Sequence, residues 1–128
     1  MLAGLRAVGA RSLLVSGGFT FFTERLKARL GIDYSCANTL EIADGKLTGR
    51  LIGLVVDAEA KAACFKQLRG ELAADGGLAV AIGDGANDLP MLESADVSIA
   101  YRAKEVIRAR ATYAIDRCGL DGVLNLFA

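Results

Sequence analysis

The chain has 128 residues, 53% of them hydrophobic and only one a proline, which suits one compact domain with a core rather than a disordered segment. Lys plus Arg and Asp plus Glu both number 15, so the formal net charge is zero and no basic face supports nucleic-acid binding. Histidine is absent, which removes serine–histidine and cysteine–histidine nucleophiles and histidine zinc sites, and leaves acid–base work to carboxylates or lysine.

Strand-like and helix-like segments alternate along the chain. Leu2 to Ala10 reads as a short helix, Ser12 to Val15 as a strand, and Thr20 to Leu30 as an amphipathic helix closed by Gly31. Ile32 to Cys36 opens the next strand region. Leu40 to Ile42 and Lys46 to Ile52 flank Ala43-Asp44-Gly45, a hairpin signal. A helix follows over Ala58 to Ala74, a buried strand over Leu78 to Ile82, and a short helix over Leu89 to Ser94. Val97 to Ala100 is a strand, Arg102 to Ala111 a helix, Thr112 to Ile115 a last strand and Asp121 to Phe127 a closing helix. This alternation predicts an α/β fold, a mostly parallel sheet with helices on both faces and one β-hairpin, in a single domain over 1–128. The longest uncharged stretch near the start, Ser12 to Thr23, is too short for a bilayer, which takes about 20 residues. With no signal-peptide pattern either, the protein is expected to be soluble and cytoplasmic, without a membrane partner. Cys36, Cys64 and Cys118 lack close spacing and read as reduced thiols rather than a disulfide framework or metal site.

The most informative run is Gly83-Asp84-Gly85-Ala86-Asn87-Asp88-Leu89-Pro90, just past the carboxyl end of the Leu78 to Ile82 strand. Ligands bind at that edge of open parallel sheets. Asp84 and Asp88 offer the hard anionic oxygens that Mg²⁺ prefers, and Asn87 an N–H₂ donor for a phosphoryl oxygen. Simple turn and capping chemistry accounts for Asp88 before Pro90, but not for three such groups bunched behind one strand. Other motifs fit worse. The third glycine of a dinucleotide-binding fingerprint is replaced by Asp88, no Gly-Lys-Ser/Thr makes a P-loop, and Ala86 stands where an EF-hand needs an acidic or amide residue. A second run, Ser16-Gly17-Gly18-Phe19-Thr20, follows Leu13-Leu14-Val15 and precedes a helix. It reads either as ordinary turn chemistry or as an anion site built from backbone N–H groups and the Ser16 hydroxyl. Lys61, by itself, reads as a solvated helix lysine.

The order of these features resembles the haloacid dehalogenase superfamily of phosphohydrolases, and within it the phosphoserine phosphatase group. Ser16 to Phe19 matches that family's second motif, Lys61 its third and Gly83 to Asp88 its fourth, and the likeness covers essentially all 128 residues. The resemblance implies a Rossmann-like three-layer sandwich and Mg²⁺-dependent hydrolysis of a phosphomonoester such as phosphoserine. It implies phosphate binding by Ser16, Gly17, Gly18, Lys61 and Asn87, metal binding by Asp84 and Asp88, and catalytic roles for Lys61 and Asp84. A P-type ATPase shares the Gly-Asp-Gly-x-Asn-Asp signature, but the Ser-Gly-Gly-Phe match points elsewhere.

One departure bears on function. The family's first motif, Asp-x-Asp-x-Thr on a central strand, supplies the nucleophile, and no Asp-x-Asp occurs in this chain. The cap segment that grips the serine head group is missing too. The resemblance therefore implies a fold lacking its first central strand, with an unpaired edge on the Ser16 strand and another on the Leu78 to Ile82 strand. Those strands either close up or accept something between them: a complementary segment carrying the first motif, or a second copy in a homodimer. The enzyme reading is a hydrolase part inactive alone. The alternative is a non-catalytic Mg²⁺- and phosphate-binding or self-associating module.

Overall fold

The computed structural model describes residues 1–127. Helix α1 (Leu2–Ala7) precedes strand β1 (Leu13–Phe19), helix α2 (Thr20–Leu30), strands β2 (Tyr34–Ala43) and β3 (Lys46–Ile52), and helix α3 (Ala58–Glu71). Strand β4 (Val80–Gly83) leads through a 3₁₀ turn, Ala86–Asp88, into α4 (Leu89–Glu93). Strand β5 (Val97–Tyr101), α5 (Glu105–Arg108), β6 (Tyr113–Ile115) and a 3₁₀ segment, Leu120–Leu126, complete the fold. No helix among the described residues is long and apolar enough to cross a membrane.

The strands form two sheets of three, in the orders β1-β2-β3 and β4-β5-β6. Strands β1 and β2 are parallel, with Val15 opposite Cys36, and β2 and β3 form the antiparallel hairpin. Its turn places Asp44 at φ 50° and Gly45 at φ 73°, the left-handed pair that suits a right-twisted hairpin. Both β4–β5 and β5–β6 are parallel. The two expected unpaired edges are thus present. Strands β1 and β4 have not closed up; each is the edge of its own sheet, and α3 joins the halves by packing on β1 and on α4 and the Ala86–Asp88 turn.

Burial is uneven. The buried apolar residues run from Ala62 to Val123. One cluster, Ala62, Ala81, Met91, Leu92, Ala100 and Ile107, lies on the helical face of the β4–β6 sheet, and Val15 packs against it. The other, Ile99, Ile115 and Val123, lies on the opposite face with Met1 and Leu126. The only residues buried between β1 and β3 are polar, Thr23 and Asn38.

Several boundaries differ from the sequence reading. The Ser16–Gly18 segment continues β1 as a bulged strand, and β2 is continuous through Asn38. Helix α5 is one turn, because Arg102 is left-handed (φ 47°) and Lys104 extended. The closing helix is 3₁₀. The expectation of reduced thiols is corrected for two cysteines: Cys36 on β2 and Cys64 on α3 are joined as a disulfide, while Cys118 is free and exposed. Sequence spacing hid this because the two come together only when α3 lies across β1, beside β2.

Candidate functional site

The Gly83–Asp88 loop is built around Asp88. Strand β4 ends at Gly83 beside Ala100, and the chain turns back so that one carboxylate oxygen of Asp88 accepts the N–H groups of Asp84 (3.1 Å) and Gly85 (3.3 Å). The other oxygen accepts the Lys61 ammonium at 2.9 Å, with both side chains about nine-tenths buried. Gly83 is required by the close approach: a Cβ there would stand 2.6 Å from the Asp88 Cβ. Lys61 is delivered by the first turn of α3. Asp57 caps that helix, its carboxylate accepting the Ala60 N–H at 2.9 Å and its carbonyl the Lys61 N–H at 2.9 Å.

The predicted residues thus take different positions. Lys61, a solvated lysine by its sequence context alone, is buried against Asp88. One oxygen of Asp88 takes two backbone N–H groups and the other takes Lys61, so this carboxylate orients Lys61 and the loop and keeps one lone pair on the oxygen that faces Lys61. Asp84 is exposed and its carboxylate accepts no hydrogen bond among the described residues. Asn87 is exposed beside Gly85. Ser16 accepts the Gly18 N–H at 3.0 Å through its hydroxyl, which leaves the Ser16 proton to donate elsewhere. Gly17 lies against Val56, one residue before the α3 cap, where a Cβ would meet the Val56 carbonyl at 3.6 Å. The sequence reading missed Asp57 and Asn38, although an amide inside the run Cys36-Ala37-Asn38-Thr39-Leu40 is itself a signal. A surface hollow of about 430 Å³ between α1 and α2 is lined by Arg6, Glu24, Lys27 and Asp33 and includes none of these groups.

Burial pushes the Asp88 carboxyl upward, but the Lys61 hydrogen bond, the Asp84 N–H, the Lys61 charge and the Gly85 N–H outweigh it and hold it below the ordinary 3.8. Asp33 is also lowered, by the Ser12 N–H and hydroxyl. A lowered folded-state value gives stability that is complete above the unfolded value and lost as pH falls through the folded one. Chemical denaturation at a series of pH values should therefore show no loss from these groups down to about pH 5 and a steepening loss below about pH 4. A loss already complete at pH 5 would contradict these assignments.

Parallel strands ending in a glycine-rich carboxylate loop beside a buried lysine define a Rossmann-like α/β domain. Residues 1–93 match the family model of haloacid dehalogenase-like hydrolases. The phosphoserine phosphatase of a Polaromonas species is 45% identical over 130 residues, which cover 98% of this chain and 55% of that protein. The phosphoserine phosphatase of Vibrio cholerae is 44% identical, with 100% of this chain and 39% of that protein covered. The crystal structure of the probable phosphoserine phosphatase from Vibrio cholerae, in its unliganded form, superposes with a TM-score of 0.89 over 96% of this chain and 38% of that one. This chain belongs to the haloacid dehalogenase-like hydrolase family. It spans about half the length, or less, of these relatives.

Proposed function

We propose that these residues form the phosphate- and metal-binding part of a Mg²⁺-dependent phosphomonoester hydrolase acting on phosphoserine in the cytoplasm. The observation that carries this reading is the buried Lys61–Asp88 pair locked to the loop that presents Asp84. The Lys61 ammonium has two protons beyond the one given to Asp88, and they suit two phosphoryl oxygens. The Ser16 hydroxyl, the exposed Gly17 N–H and the Asn87 amide add neutral donors, and Gly18 holds Ser16 in place through its own N–H. Asp84 would hold Mg²⁺ together with water and carboxylates from elsewhere, since no group of three acidic or thiol ligands occurs among the described residues. Bound there, the ion neutralises phosphoryl charge. Phosphoryl transfer is mostly positioning and charge stabilisation. The chain's own residues supply that, while the attacking carboxylate belongs on a strand set between β1 and β4.

The test is phosphate release from phosphoserine with Mg²⁺, by the 128-residue polypeptide alone and with a co-expressed segment carrying Asp-x-Asp-x-Thr on a strand. Alone it should not exceed a buffer control, because loss of a covalent nucleophile removes most of the rate. With the segment it should turn over, and Lys61→Ala should abolish that turnover. Robust turnover by the polypeptide alone would overturn the assignment of an outside nucleophile. No turnover in any combination would favour the second reading, a self-associating module, for which the open edges of β1 and β4 speak.

A further inference from the structure

Asn38 is a buried amide, 5% exposed, whose two halves are used on different elements. Its Nδ2 donates to the Gly17 carbonyl at 2.9 Å, and its Oδ1 accepts the Val56 N–H at 2.7 Å. The need for the first bond follows from the β1–β2 register. Pairing runs from Leu13 opposite Tyr34 to Val15 opposite Cys36, then resumes only at Phe19 opposite Asn38. Between those pairs β1 advances four residues (15 to 19) and β2 two (36 to 38), so Ser16–Gly18 bulges out of the ladder. The bulge presents Ser16 and takes the Gly17 carbonyl away from any strand donor, and the Asn38 carboxamide replaces that donor. The second bond fixes Val56, from which Asp57 caps α3 and Lys61 reaches Asp88.

We propose that Asn38 is a positioning residue for oxyanion binding: it sets the spacing between the Ser16–Gly18 loop and the helix start that carries Lys61. This rests on the reading that both hold one phosphoryl group, and it adds the residue that registers them. Only a side chain that donates and accepts from one planar group can do this. The amide orientation is fixed by its partners, since a carbonyl faces one end and an N–H the other.

The experiment compares wild type, Asn38→Asp and Asn38→Leu by backbone amide NMR and by inorganic phosphate titration, in reducing buffer so that the Cys36–Cys64 link does not mask the tether. At neutral pH the new carboxylate of Asn38→Asp has no proton for the Gly17 carbonyl. The amide resonances of Gly17–Gly18 and of Val56–Lys61 should shift together, and phosphate should bind about tenfold more weakly or worse. At about pH 5 a carboxyl raised by burial regains its proton, donates to Gly17 and accepts from Val56, so both readouts should return toward wild type. Asn38→Leu should lose both at every pH. Wild type carries the same other titrating groups, Asp57, Lys61 and Asp88 among them, and its own pH series subtracts their titration. If neutral pH unfolds Asn38→Asp, recovery of dispersed resonances on acidification, the reverse of ordinary acid denaturation, reports the same bond. Shifts confined to the β2 neighbours of residue 38, or a loss in Asn38→Asp that acid does not reverse, would overturn the proposal. If wild type binds no phosphate, the reading of the site falls, while the joint movement of Gly17 and Val56–Lys61 still tests the tether.

Discussion

Asp88→Ala should destabilise the domain by about 3–5 kcal/mol, because it leaves the Lys61 ammonium buried without its counter-charge. The part-buried Asp84 and Gly85 N–H groups lose their acceptor as well, which adds to the loss where water does not replace it. Total stability of a domain this size is about 5–15 kcal/mol, so thermal unfolding should fall by at least about 10 °C. A paired variant separates the ion pair from general damage. Removing both charges with Lys61→Met and Asp88→Leu keeps the volume apolar, and replacing a whole buried pair is often neutral. The double variant should recover most of the lost stability while losing phosphate binding. A single Asp88→Ala variant within about 1 kcal/mol of wild type would show that Lys61 is not buried as described.

The two halves of the site differed in how plainly the sequence announced them. The carboxylate run behind an apolar strand was legible because Asp84, Asn87 and Asp88 fall within five residues of the chain and because Gly83 and Gly85 mark a tight turn. Lys61 became legible only through its order among the other motifs, since nothing local separates a buried lysine from a solvated one. That Asp88 is buried against Lys61 while Asp84 stays exposed was not legible. It depends on which carboxylate Lys61 reaches from a helix 27 residues away. Asn38 and the Cys36–Cys64 link escaped for the same reason: each joins β2 to the start or first half of α3, and that contact exists only after α3 crosses β1. Arg102 shows the limit of periodicity, for its left-handed backbone stops a helix that the apolar spacing of the following residues would begin.

The isolated 128-residue polypeptide should not behave as a 13.4 kDa monomer in light scattering at micromolar concentration. Among the described residues β1 and β4 each pair on one side only, which leaves two rows of backbone donors and acceptors without a strand partner. Where such groups are kept from water, each costs about 1–3 kcal/mol. The half of the fold built from β1, α2, β2 and β3 buries no apolar residue fully, while Phe21, Phe22, Ile42, Leu47 and Ile52 are all more than half exposed. At about 25 cal/mol for each Å² of apolar surface left wet, that half is stabilised by covering it. Pulling β1 onto β4 would need the Val56–Lys61 segment to shift with the Ser16–Gly18 loop, since Asn38 ties them, so docking a second copy is the less disruptive way to satisfy the edges. The expected mass is that of a homodimer. Adding the segment with Asp-x-Asp-x-Thr should compete with this association, because both occupy the same edges. A clean, cooperatively folded 13.4 kDa monomer that ignores the segment would mean that β1 and β4 need no partner, and would remove the structural ground for an inserted nucleophile strand.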